Sequence, residues 1–340
     1  MPIRKRIWAT FAILVVLMGV AVYVIPRSLT GHDAGVPVGS FLYLWYGSPY
    51  GSDKLSGWNS SSFPGGGAVV DKPVIGYYSS DNDSTFSWQI QEMQSAGLTF
   101  SIVSWWGPYS AGESGSINNA THDLFRYLQT SDSKFKVAIM VDAYLPPGEQ
   151  NSSAYHFIYN YIYSEFVIPY RQYYFDWEGK PLLLFFNPMY PTFLNSSFTV
   201  RTIGNRPNLV NWSFWDAPEQ FFSSQLPVGV NATNDEGNPV ISSDGEVTVI
   251  PRIDSFYNYL FGYQSGYLRF DSSLTQGLYQ SQWNYILSKS SDVKLVILYS
   301  WNEYHERTEI EPHYDYSNSS LSPYYLLNLT SYYVHKLEGS

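Results

Sequence analysis

Residues Lys294-Leu295-Val296-Ile297-Leu298-Tyr299-Ser300 run straight into Trp301-Asn302-Glu303-Tyr304-His305-Glu306, and the reading of this stretch decides the architecture. An apolar run with no polar alternation is what a parallel strand covered on both faces requires. Similar runs occur at Phe41 to Tyr46, Phe100 to Trp105, Lys136 to Asp142, Leu182 to Phe186 and Val247 to Ile250. Two weaker ones, Val200 to Ile203 and Asn211 to Trp215, bring the set to eight. Between several of them lie Ser84 to Ala96, Thr121 to Gln129, Ala154 to Tyr170 and Gln276 to Lys289, with apolar residues at helical three- and four-residue spacing. This alternation predicts an α/β fold, a closed (β/α)8 TIM barrel ahead of an open sheet.

In such a barrel the chemistry sits on the loops that follow the strands. The expected strand ends are rich in rings and acids: Trp45 and Tyr46, Trp105 and Trp106, Asp142 and Tyr144, Asn187 and Tyr190, Asp254 and Tyr257, then Trp301, Asn302 and Glu303. A Gly/Ser/Pro-rich insert from Gly47 to Gly67, carrying Trp58, reads equally as a wall over the barrel mouth or a surface loop. After the last strand Glu303 and Glu306 are three apart, so a helical turn would project both carboxylates to one side. Glycosidic cleavage needs one group to protonate the leaving oxygen and another to help expel it, and paired carboxylates are the usual solution. A Glu pair at this spacing is also common on solvated helices. The preceding apolar strand and the neighbours Trp301, Asn302 and His305 favour the catalytic reading.

Composition agrees. Aromatic residues make up 18% of the 340-residue chain and charged ones only 14%, so surface polarity must come from hydroxyls, amides and rings, which suits a carbohydrate ligand. The net charge is -10 with no basic cluster beyond the N-terminus, which argues against a nucleic-acid partner. There is no cysteine, no His-x-x-x-His pair, and the Asp81-Asn82-Asp83-Ser84 stretch lacks the remaining ligands of a calcium loop, so neither a metal nor a cofactor is expected. Gly112-Glu113-Ser114-Gly115-Ser116 ends in Ser where a nucleophile elbow needs Gly.

At the N-terminus, Arg4-Lys5-Arg6 precedes an uncharged run from Ile7 to Ile25, long enough to span a bilayer and without a convincing cleavage site. The expected organisation is a basic end plus transmembrane anchor over 1–27, a stalk over 28–37 and the barrel over 38–340, with the barrel outside the membrane. An uncleaved anchor is favoured over a removed signal. Nine Asn-x-Ser/Thr sequons, at Asn59, Asn82, Asn119, Asn151, Asn195, Asn211, Asn231, Asn318 and Asn328, fit a glycosylated exterior protein. Low ionisable content, anchor and sequons together suggest an archaeal exterior.

Trp301-Asn302-Glu303-Tyr304-His305-Glu306-Arg307-Thr308-Glu309-Ile310-Glu311-Pro312 closely resembles the Asn-Glu-Trp-His-Glu-Gly-Thr-x-Ile-Glu signature of glycoside hydrolase family 99, the endo-α-mannosidases and endo-α-1,2-mannanases. Gly76-Tyr77-Tyr78-Ser79-Ser80 with Asp83, Gln94-Ser95-Ala96-Gly97 and Ser104-Trp105-Trp106-Gly107-Pro108 resemble the same family's second strand-helix unit. The resemblance runs from about Phe41 to about Tyr333. It implies a (β/α)8 barrel without obligatory metal and an endo-acting, retaining reaction. Glu303 would match the base that deprotonates the sugar 2-hydroxyl to give a 1,2-anhydro sugar, and Glu306 the general acid and then base. Asp142 and Tyr144 are the nearest match to an acid and aromatic after the third strand, and Tyr257 to a tyrosine near the catalytic pair. Tyr304 stands where the signature has Trp and Arg307 where it has Gly, so sugar identity would be open to change there. The alternatives are a glycan-binding envelope protein that kept the barrel without turnover, and a glycosidase for another sugar.

Overall fold

The computed structural model describes residues 35–47, 57–58, 68–109, 112–142, 152–186, 195–203, 211–212, 230–231, 238–262 and 266–339. Each apolar run forms a parallel strand: β1 (Val38–Leu42), β2 (Phe100–Trp105), β3 (Lys136–Val141), β4 (Lys180–Phe186), β5 (Thr199–Ile203), β6 (Asn211–Trp212), β7 (Glu246–Val249) and β8 (Leu295–Leu298). Neighbours in the sheet follow chain order, β7-β8-β1-β2-β3-β4-β5-β6. Cα atoms of β6 and β7 approach within 8 Å, so the sheet curls back on itself. The result is a TIM-barrel-like fold, wrapped by α1 (Asp83–Ser95), α2 (Gly112–Thr130), α3 (Ser152–Ile162, continued by a π-helical turn at Tyr163–Val167), α4 (Phe256–Leu260), α5 (Leu278–Ser288) and α6 (Tyr325–Glu338).

The two-residue period of a strand sorts its side chains into two cores. Phe41, Tyr43, Phe100, Ile102, Ala138, Met140, Leu182, Leu184, Leu295, Ile297 and Tyr299 fill the barrel interior. Leu42, Val103, Trp105, Val137, Ile139, Leu183, Val296 and Leu298 point outward and pack with apolar faces of the helices. The interior is plugged near its base by Phe100, stacked on Phe175 with ring centroids 3.8 Å apart. Gly39 is inward-facing and leaves room for that ring: a Cβ there would lie 2.4 Å from Phe100 Cζ.

Both weak strand expectations hold, and the first strand differs. Its ladder stops at Leu42 rather than Tyr46 because the Asn302 amide takes over as its neighbour. Asn302 Oδ1 accepts from Tyr43 N and Asn302 Nδ2 donates to Tyr43 O, each at 2.9 Å. Helix α2 begins well before Thr121 because Ser114, Ser116 and Asn118 are themselves buried, and Asn118 Oδ1 accepts from the Trp105 indole at 2.9 Å. Helix α6, with no counterpart in the sequence reading, buries Leu326, Leu327, Thr330, Tyr333, Val334 and Leu337, and stacks Tyr333 on Trp283 of α5. The anchor over 1–27 lies outside the described residues, as does the stalk but for its last three. Among the described residues no helix is long and apolar enough to cross a membrane.

Gly39→Ala should destabilise the barrel by about 1–3 kcal/mol, because Phe100 cannot retreat from Phe175 to admit the methyl group. Equilibrium urea unfolding measures this, and an unchanged midpoint contradicts the packing.

Candidate active site

The loop after β8 is held by its own backbone. Ser300 N donates to Thr308 O at 2.9 Å, Thr308 N to Glu303 O at 3.2 Å, and Glu311 N to Trp301 O at 2.9 Å. Ser300 Oγ accepts from Glu303 N at 2.8 Å and exchanges a 2.9 Å hydrogen bond with Thr308 Oγ1. Residues 304–307 are a run of turns rather than a helix, yet the Glu303 carboxylate is near enough to act on that of Glu306. Glu303 is nearly buried, and its Oε1 accepts from His305 N at 2.9 Å with His305 Nδ1 3.2 Å away. Glu306 Oε2 accepts from the Tyr299 hydroxyl at 2.6 Å.

Removal from water and the Glu303 carboxylate next to it push the Glu306 carboxyl up to about 7, with Asp142 adding to the rise and Tyr299 and His305 opposing it. Tyr43 and Tyr299, both buried, are raised well above the ordinary phenol range by burial and by these carboxylates, so they stay neutral donors. The cluster thus contains one acid that keeps its proton near neutrality and a second carboxylate as its neighbour. That is the environment-driven separation that lets two carboxyl groups do different jobs.

Around the pair, Trp45 lies 4.4 Å from Tyr43, 5.5 Å from Trp106 and 6.2 Å from His305, ring centroid to ring centroid. Trp45, Trp106, His305 and Asp142 all keep partial exposure, and Asp142 accepts from Ser104 Oγ at 2.7 Å. These form an open aromatic and acidic wall. The other expected contacts sit elsewhere. Tyr46 and Trp58 are buried and stacked on each other at 4.1 Å, beneath His305, with Tyr46 OH donating to Asn302 O. Trp105 and Trp301 are fully buried in the layer between barrel and helices, so neither reaches the mouth. Asn302 is fully buried and spent on Tyr43, its Nδ2 also donating to Tyr78 OH at 3.0 Å. Tyr257 is partly exposed on α4, edge-on to Tyr316. Tyr144 lies outside the described residues.

Two useful residues were missed. Tyr43 and Tyr299 lie beside the pair, and a parity count from the inward Phe41 and Ile297 would have pointed both into the barrel. Of the sequons, Asn82, Asn119 and Asn328 are exposed and Asn195 and Asn318 are partly so. Asn59 and Asn151 lie outside the described residues, as do the side chains of Asn211 and Asn231.

Beneath the pair lies a buried ionic network. Asp71 accepts from Arg307 Nε at 2.6 Å and from Arg252 Nη2 at 3.0 Å. Arg252 also bonds Glu309 at 2.7 Å and Asp315, and Arg307 bonds Asp254 at 2.8 Å and Ser317 Oγ at 2.7 Å. Both guanidinium groups are completely buried, and together they hold the Asp71 carboxyl well below the ordinary range. Arg307, following Glu306 directly, adopts φ +55°, a left-handed conformation natural to the Gly of the resembled signature. Tyr304 is buried too, its hydroxyl 2.8 Å from Glu311. Both side chains are therefore buried, Tyr304 bonding to Glu311 and Arg307 into the ionic network. Asp71, His313 and Asp315 lie close enough together to resemble a metal site, but Arg252 contacts all three.

Asp71→Asn should destabilise the fold by about 3–5 kcal/mol by removing the charge shared by two buried guanidinium groups. Chemical denaturation checks this; a loss under 1 kcal/mol, about that of a surface pair, contradicts a shared buried role.

No family model and no curated protein matches the chain. Among solved structures, it is similar to the family 99 endo-α-mannosidase of Bacteroides thetaiotaomicron, at 16% identity and TM-score 0.62, over 89% of this chain and 97% of that one. The same enzyme in complex with bis-tris propane gives the same values. A glycoside hydrolase-like protein matches at 15% identity and TM-score 0.53, over 87% and 93%. What these likenesses show is the fold: the chain shares the TIM-barrel-like architecture of the family 99 endo-α-mannosidase over nearly the whole length of both.

Proposed function

We propose that the chain is an endo-acting, retaining glycoside hydrolase that cleaves α-linked, mannose-containing glycans. The observation that carries this is the side-by-side pair in which Glu306 keeps its proton up to about 7 while Glu303 lies against it under an aromatic wall. The likeness in fold to an endo-α-mannosidase supports the choice of sugar.

In this reading Glu303 takes the proton of the sugar 2-hydroxyl as O2 attacks the anomeric carbon. The bond to the leaving sugar breaks, and its oxygen takes the Glu306 proton. Water then attacks the anomeric carbon of the 1,2-anhydro sugar and gives its proton to Glu306. The anhydro C1–O2 bond opens, and Glu303 returns the first proton to O2. Two displacements at one carbon leave its configuration retained. Tyr299 fixes the Glu306 carboxylate, and Trp45 and Trp106 offer rings against which a sugar face packs. Asp142 contributes an acceptor beside them.

The reading includes an extracytoplasmic, membrane-anchored and glycosylated protein. Its support is the basic triplet and uncharged run before residue 27 and the sequons, three of them on exposed asparagines.

Glu306→Gln should lower the rate of glycan hydrolysis at least 100-fold with the melting temperature maintained, and the wild-type rate should fall as pH rises through about 7, where the acid loses its proton. Reducing-end release from α-mannans across pH 4–9 measures both. An unchanged rate in the variant contradicts the assignment.

A further inference from the structure

We propose that Tyr299 is a positioning residue of the catalytic pair: it pins Oε2 of Glu306, so that Oε1 is the oxygen that carries the proton to the leaving group. The inference rests on the reading of Glu306 as the general acid, and it concerns a residue outside the resembled signature.

Tyr299 directly follows β8, and strand parity turns its ring into the barrel with Ile297 and Leu295. The ring is 3% exposed and meets Phe41 edge to face at 5.9 Å and 73°, so it has no room to swing. Its hydroxyl also lies close to that of Tyr43, whose backbone the Asn302 amide clamps through both groups. The donor aimed at Glu306 is therefore fixed by elements on two strands, at 2.6 Å from Oε2. Oε1 has no hydrogen-bond partner among the described residues. A protonated carboxyl with one oxygen already accepting from a phenol places its hydrogen on the other oxygen, since a hydrogen on Oε2 would oppose the tyrosine's own.

The groups that face this carboxyl are Glu303 and His305 from its own loop, Asp142 after β3, Tyr43 after β1 and Tyr299 after β8. Asp254 meets Glu306 only through its backbone, donating to Glu306 O at 2.8 Å, while its carboxylate is engaged by Arg269 and Arg307. Of the groups facing the carboxyl, Tyr299 has the hydroxyl that donates to it. Donation to the ionised form holds the proton affinity of Glu306 below the level that burial and Glu303 alone would set. Loss of the hydroxyl therefore moves the titration upward, and frees the carboxyl to rotate and present either oxygen.

The test is Tyr299→Phe, which keeps the ring against Phe41. Two readouts are followed in parallel: the pH dependence of kcat and KM on an α-mannan oligosaccharide, and the titration of the Glu306 carboxyl by infrared difference spectroscopy, assigned by its disappearance in Glu306→Gln. The expected result is an upward shift of about one pH unit in both the carboxyl titration and the alkaline limb of kcat, with KM changed less than kcat. Tyr43→Phe, which removes only the neighbouring hydroxyl, should give a smaller shift in the same direction and serves if Tyr299→Phe folds poorly. An unshifted carboxyl titration in both variants overturns the proposal. A shifted titration in a protein whose wild type hydrolyses no glycan upholds the hold of Tyr299 on Glu306 and overturns the hydrolase reading instead.

Discussion

One buried carboxylate, that of Asp71, holds together the barrel face where the strands end. It is shared between the guanidinium groups of Arg252 and Arg307, so it ties the segment after β1 to the loops after β7 and β8. It also accepts from Tyr316 N at 2.6 Å, which closes the far end of the β8 loop. Such charges are costly to bury and are tolerated only when every group is paired. Here the pairing is dense: Asp254, Glu309 and Asp315 complete the shells of the two arginines. The left-handed backbone at Arg307 follows from this arrangement, because that residue must send its side chain down into the network directly after Glu306 faces up.

The reactive electrostatics follow from the same placement. The loop puts Glu303 and Glu306 over a barrel interior packed with Tyr43, Tyr299 and Phe41, where carboxylates are poorly solvated. Glu303 is satisfied by two donors of His305, whereas Glu306 accepts one phenol and faces the negative charge of its neighbour. Glu306 is thereby held above the ordinary carboxyl range, and His305 is placed by its own carboxylate contact and the ring of Tyr46. A pair of this kind is suited to giving and taking protons in turn.

Most of the strands were legible because each is buried on both faces, which leaves an apolar signature that neighbours do not disturb. Where the reading failed, a long-range contact decided. The end of β1 was set by Asn302, 259 positions away in the chain, and the start of α2 by the bond between Asn118 and Trp105. The Glu pair was legible from its place after a strand, but the ionic network was not, since Asp71, Arg252 and Arg307 each look like ordinary charges in isolation. Among the aromatic residues, type alone did not separate wall from core. Trp106 has stepped past the end of β2 and remains partly exposed, while Trp105, one residue earlier, is turned outward under the helices. Side-chain parity along the strand carries that information, and residue type does not.

The central claim is that Glu303 and Glu306 have separate roles, one acting on the sugar's own hydroxyl and the other on the leaving oxygen. It is tested most directly with an α-mannosyl fluoride as donor substrate, whose fluoride leaves without needing a proton, compared with an unactivated glycan. The account predicts that Glu306→Gln keeps substantial first-step turnover of the fluoride, read as fluoride release, while losing the glycan, and that Glu303→Gln loses both. Equal loss on both substrates in Glu306→Gln, or fluoride release preserved in Glu303→Gln, would contradict it.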